Sequence, residues 1–420
     1  MIILQNCSSS QQEVETPQTF RNYISGVGNY SITADDTKTS LRMYAFYRCN
    51  NLTSAIISGA NKYLTQNVFY ECDNLTQVVL QEGVEELNDS FQYCRALTTV
   101  KIPNSIKVVS GGSFTGCNAL QYSENHNNKY LGNDNNSWLL LCHCEEDAID
   151  PYCKVIQGGA AAESSSLTSV TIPDSVTNIG LQSFYSCPNL TSIYIGSGVE
   201  EIGSMAFGKC ESLSSISVSP SNERYRAIGN CLIYFSRIIL GCNNSTIPTD
   251  SDVNEIYADA FSGANQLSTI SIPSNITTLN TGAFRDSALV SIMVPDTVTN
   301  MGVQVFYNCA NLTSATLGRG LDYVPYGCFS NCGSLPTFVV NDNATSIQTY
   351  AFSQCTSLAS ITIPNSVTII NYGAFENCTS LTDIYYGGTM SDWNNVTLET
   401  NWNRNTGNYT IHCTDGDIPK

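Results

Sequence analysis

The hydrophobic positions of this chain recur in one phrase. In 358–375, LASITIPNSVTIINYGAF, Leu358, Ile361 and Ile363 alternate with polar residues, as in a strand with one buried face. Pro364 ends that strand, because proline has no N–H to give to a ladder. Val367 and Ile370 carry the apolar path onward, Phe375 and Cys378 close it, and Leu381 begins the phrase again. A Phe followed three residues later by Cys acts as a ruler. Phe46, Phe69, Phe91 and Phe114 are spaced 23, 22 and 23 residues apart, and Phe184 and Phe207 are 23 apart. Phe261, Phe284, Phe306, Phe329, Phe352 and Phe375 follow at 23, 22, 23, 23 and 23. A degenerate copy lies at 155–170, with Ala161 in place of Phe and Ser164 in place of Cys.

A period of 22–23 residues falls within the range of leucine-rich repeats, about 20–29 residues. One such unit cannot bury its own apolar face, so the units must stack. The pattern predicts a mostly β repeat solenoid of the α/β type, a right-handed leucine-rich repeat horseshoe of about 13 turns. Its strands form a parallel ladder with rungs about 4.8 Å apart.

Two interruptions, at about 120–155 and 219–252, resemble each other. Tyr130, Gly132-Asn133 and Cys142 in the first match Tyr225, Gly229-Asn230 and Cys242 in the second. Each has two short apolar runs about a Gly/Asn turn, which predicts a β-hairpin. Residues 1–40 lack the repeat: Gln5 to Thr19 reads as a flexible lead and Phe20 to Thr33 as a short hairpin or cap. The solenoid is expected over 41–386, and 387–420, with Trp393, Trp402 and Tyr409, as a cap and frayed tail.

Composition narrows the function. The net charge of −18 argues against a phosphate backbone or an anionic membrane surface as partner. No run of about 18 apolar residues predicts a membrane helix. The N-terminus, MIILQNCSSS, has no basic region and too short an apolar run for a secretory leader, and no anchor is evident. Ten of the 18 cysteines fall in the Phe+3 column. Side chains along a ladder run parallel, so these read as free buried thiols rather than disulfides. Cys142-His143-Cys144 with Cys153 is the one metal-like cluster, but its spacing is too tight for the usual zinc sites, and no metal or other cofactor is expected. Neither a nucleophile elbow, a zinc-protease motif nor a phosphate loop is present, and no enzyme activity is expected. Glu85-Glu86 and Glu200-Glu201 recur at one repeat position and read as a solvated edge.

Outward strand positions remain. The first two outward columns are mostly Thr and Ser, as at Thr98-Thr99 and Thr313-Ser314, which fits β-propensity on a wet face. The third column varies. Lys101, Thr171, Tyr194, Met293, Thr316, Val339, Thr362 and Tyr385 are its candidate partner-binding residues, because variation on a regular scaffold is where specificity is written.

With Phe–Cys, L-x-x-I-x-I-P and Ser-Val-x-x-Ile in hand, the chain resembles the BspA-type leucine-rich repeat family. Leu167-Thr-Ser-Val-Thr-Ile-Pro-Asp-Ser-Val176, 199–207 and 358–375 are the most typical segments, and the match runs over about 41–413. Tyr386-Gly-Gly-Thr-Met-Ser-Asp-Trp393 resembles how such proteins end. The resemblance implies a non-catalytic, surface-exposed protein that adheres to host or microbial partners, and the outward columns make the strand face the expected place for a protein or glycan. The lack of a leader and anchor motivates a second expectation, a virion-associated structural or host-recognition protein. The outward Tyr194 and Tyr385 motivate a third, a glycan-binding module.

Overall fold

The computed structural model describes the backbone of Ile2–Asn6, Gln11–Val14, Tyr30–Ala34 and Ser40–Leu41, the side chain of Leu41, and all of residues 43–420. The chain forms two compact units, one of residues 1–187 and 194–207, the other of 188–193 and 208–420.

Each turn contributes two strands to its unit. In the first unit Leu52–Ile57, Gln77–Leu80 and Thr99–Lys101 pair in parallel, with Ala55, Val78 and Val100 in one register. A second parallel ladder joins Ser40–Leu41, Tyr63–Leu64, Glu86–Leu87 and Val108–Val109. The second unit repeats the arrangement. Thr337–Val339, Ser360–Ile363, Asp383–Tyr386 and Thr410–Cys413 form one ladder, and Tyr323–Val324, Ser346–Ile347, Ile369–Ile370 and Thr397–Leu398 the other. Alternation buries Ile361 and Ile363 and turns Ser360 and Thr362 outward, so the two-residue period of the sequence becomes one core face and one wet face.

The returning arc carries the Phe column. Phe261, Phe284 and Phe306 stack with ring centroids 4.9 and 5.6 Å apart, and Phe352 lies parallel to Phe375 at 5.5 Å. The arc is tight. Residues two before and two after the anchor take left-handed backbone, as at Gln304 and Asn308 around Phe306 or Tyr350 and Gln354 around Phe352. Each turn thus reverses direction twice without a helix. The single helix among the described residues is Met390–Trp393, capped reciprocally by Thr389 and Asp392. The α part of the expected α/β class shrinks to that element.

One further expectation is extended and one corrected. Each interruption holds the expected hairpin at its Gly/Asn turn and adds a third strand, making a meander. Ser123–Asn125, Asn128–Asn133 and Asn136–His143 pair antiparallel in succession, as do Tyr225–Ile228, Cys231–Tyr234 and Arg237–Leu240. In each meander the last strand also pairs in parallel with the next two-residue strand, Val155–Ile156 or Glu255–Ile256. That strand fills a rung. With both such rungs and the one at Thr397–Leu398, the chain winds about 16 turns rather than 13.

Near the N-terminus, Ile2–Asn6 pairs antiparallel with Gln11–Val14 and with Tyr30–Ala34, which joins Leu52–Ile57 in parallel. The stretch read as a flexible lead therefore contains a strand. The rest of 7–19, and residues 20–29 of the expected cap, lie outside the described residues. At the far end of the second unit, Trp393, Trp402 and Tyr409 are buried, and Trp402 meets Phe375 edge-on at 6.0 Å.

Candidate functional site: the outward strand face

The candidate residues do not form one surface. In the second unit Met293 pairs in register with Thr316, and Val339, Thr362 and Tyr385 continue in register to His412. Ser314–Thr316 packs beside Thr337–Val339, so the two groups form one row. Four rungs separate Met293 from Tyr385, roughly 19 Å at about 4.8 Å each. Met293 is 70% exposed, Val339 62% and Tyr385 46%, with a threonine between each pair. Apolar side chains this exposed, repeated at every second rung, are a feature that a solvated surface does not need.

The first unit differs. Lys101 pairs in register with Val79 and, beyond it, Ile56. Its ammonium is 2.5 Å from Asp134 Oδ2, in the tip of the first meander. Both side chains are exposed, so the pair contributes little. The meander separates Lys101 from Thr171, which is exposed and bridges Ala148. Tyr194 is half-buried. The second unit therefore holds the longer row, while Thr171 and Tyr194 lie on neighbouring strands apart from Lys101.

The Thr/Ser columns have a cause beyond strand propensity. Thr98 Oγ1 donates to the Thr76 carbonyl at 2.9 Å, Thr313 Oγ1 to Val290 at 3.1 Å and Thr382 Oγ1 to Ala359 at 3.2 Å. Each hydroxyl reaches one turn back and satisfies a carbonyl at the strand start. Sequence reasoning also passed over His412. Its Nε2 and Nδ1 lie 2.9 Å from Asp383 Oδ1 and from Asp417 Oδ1, and its ring stacks on Tyr385 at 5.0 Å. The two hydrogen-bonded carboxylates, Asp383 first, push the imidazole above its ordinary value. The available signal was the Thr410-Ile-His-Cys413 segment, whose alternation continues the strand pattern.

Glu85 lies between Lys62 and Lys107, at 3.0 Å from each, and the hydrogen bond from Lys107 pulls its carboxyl below the usual range. A general acid near neutral pH needs the opposite shift. Among the described residues no three His, Cys, Asp or Glu side chains come together as metal ligands. No helix there is long and apolar enough to cross a membrane.

The family model for the BspA type leucine rich repeat region matches in six copies, over residues 7–122, 140–250, 236–359 and 283–401. The chain belongs to the BspA-type leucine-rich repeat family. A solved leucine-rich repeat protein from Eubacterium ventriosum is 22% identical, with 90% of each chain covered and a TM-score of 0.55. A leucine rich cell surface protein from Faecalibacterium prausnitzii is 24% identical, covering 88% of this chain and 93% of that one, at a TM-score of 0.48. At such identity the first of these likenesses is one of fold. Among curated proteins no sequence matches at a significant level. This BspA-type chain thus shares a stacked-repeat architecture, and its own outward residues must carry whatever it recognises.

Proposed function

We propose that this BspA-type solenoid is a non-catalytic interaction protein that binds a partner protein on a host or microbial surface through the strand face of its second unit. The observation that carries the reading is the row Met293, Val339 and Tyr385, three exposed apolar side chains on two adjoining ladders. Rigid anchors cost little entropy to bury, which is what a docking face requires. The chain's acidity adds a preference for partners with basic rims, through steering rather than contact energy.

Crosslinking mass spectrometry in the native source tests this, because it reports partner and compartment together. Crosslinks are expected to concentrate on the strands Ser291–Met293, Ser314–Thr316, Thr337–Val339, Ser360–Ile363 and Asp383–Tyr386, and Val339→Asp is expected to abolish capture of the partner while leaving thermal melting unchanged. Crosslinks spread over the arcs, or capture indifferent to Val339→Asp, would refute the strand face as the docking surface.

A further inference from the structure

The arcs of the second unit carry a groove apart from the strand face. It arises from one column, the residue that follows each anchor Phe. That residue is Tyr at Tyr47, Tyr70, Tyr185 and Tyr307, Arg at Arg285, Glu at Glu376, and Gln92, Thr115, Gly208 and Ser262 elsewhere. At Ser330 and Ser353 it is serine in two successive turns. Two small residues between Tyr307 and Glu376 leave an open slot of about 240 Å³. Ser330 and Ser353 line it, only 8% and 6% exposed, and neither hydroxyl has a hydrogen-bond partner within the protein. Neither oxygen is sealed from solvent, so both hydroxyls are open to water or to a ligand seated in the slot.

The surroundings define the chemistry. Tyr326 and Tyr350 precede the anchors, their rings perpendicular with centroids 6.0 Å apart. Asn331 and Gln354 follow the anchors, and their side-chain amides also lack partners within the protein. The slot is electrically balanced, since the Glu376 carboxylate is ion-paired with Arg404. The backbone is already committed: the N–H groups of Asn331 and Gln354 donate to the Ser353 and Glu376 carbonyls of the next turn. Recognition there must come from side chains, which disfavours an added peptide strand.

We propose that this groove binds a neutral oligosaccharide, with two hexose units lying over Ser330 and Ser353 between Tyr307 and Glu376. A hexose presents apolar C–H faces, which suit tyrosine rings, and hydroxyls that both donate and accept, which suit Ser, Asn and Gln. An anionic ligand would find no unpaired cation in the lining and a net charge of −18 around it. A purely apolar ligand would strand the serine and amide groups. Successive turns repeat at about 4.8 Å, close to the length that each hexose adds to an extended chain, so like side chains meet successive sugars.

The test is calorimetric titration of the full chain with maltose, cellobiose, lactose and N,N′-diacetylchitobiose, backed by a glycan array. Binding of at least one neutral disaccharide or array glycan at millimolar affinity or better is expected. Ser353→Tyr restores the residue that the same position carries at Tyr307, so the repeat accommodates it, and it fills the slot. That variant and Tyr350→Ala are each expected to weaken binding about tenfold or more, a loss of about 1.4 kcal/mol. Tyr385→Ala, on the strand face, should leave it unchanged. Failure of every neutral glycan to bind, or binding that survives Ser353→Tyr, overturns the proposal.

Discussion

The cysteine of each turn does more than fill space. Cys332 Sγ donates to the Phe306 carbonyl at 3.2 Å, Cys355 to Phe329 at 3.1 Å and Cys378 to Phe352 at 3.1 Å. The same carbonyl accepts the backbone N–H of its own turn's cysteine, as Phe329 does from Cys332, so both of its lone pairs are used. All 17 cysteines among the described residues are free. Burial, the largest cause, pushes the Cys378 thiol up to about 12 and Cys309 to about 11, far from the thiolate that reacts. Iodoacetamide at pH 8 is therefore expected to label Cys413, which is half-buried, well before Cys332 or Cys355. Peptide mapping after a short pulse checks this, and equal labelling would show that the column opens readily. The arc geometry offers a second check. Gly159 has φ +67, and an added Cβ there meets nothing within 4 Å. Gly159→Ala thus isolates the backbone cost of a left-handed residue, about 1 kcal/mol in urea denaturation.

At the scale of elements, the terminal strands are held by titrating groups. Thr410–Cys413 pairs with Asp383–Tyr386 on one side and, antiparallel, with Gly416–Pro419 on the other. His412 joins all three through Asp383 and Asp417. Its pKa is raised in the folded chain. Its contribution is then fully present below the unfolded value, about 6.5, and is lost as pH rises through the folded value. Asp383 runs the other way. Thr382 and then His412 lower its pKa, so its contribution is present above about 3.9 and is lost as pH falls through the folded value. The strap should be firmest between about pH 4 and 6.5. Hydrogen exchange at Gly416–Pro419, corrected for intrinsic rate, is expected to be faster at pH 8 than at pH 6. His412→Gln should remove that difference, and its persistence in the variant would rule out His412 as the cause.

At the scale of the whole molecule, stability comes from stacking identical units. Phe284 is fully buried between Phe261 and Phe306, so its loss opens a cavity in three adjacent turns. Phe284→Ala should cost about 3–5 kcal/mol, measured by urea denaturation of the second unit's signal. A loss below about 1 kcal/mol, outside that range, would show that the column is not a shared core. Charges contribute less: the pairs Arg95–Asp73, Arg226–Asp252 and Arg319–Asp342 are all solvent-exposed and lie where water and salt screen them.

Periodicity by itself determined which residues face inward. Leu358, Ile361, Ile363, Phe375 and Cys378 are buried as the repeat demanded, because a unit that recurs every 22–23 residues can stack only with the same face inside. The family was legible for the same reason. The tertiary structure decided what depends on register between turns. It placed the last strand of each meander in a rung, which adds turns that the Phe ruler does not mark. It split the candidate face, since the first meander stands between Lys101 and Thr171. It also set His412 between carboxylates 29 and 5 residues away, and opened a slot where two serines from neighbouring turns adjoin. A local pattern fixes which way a side chain points. Which side chains then meet is fixed only when the ladders zip, because each neighbour comes from a separate turn of the chain.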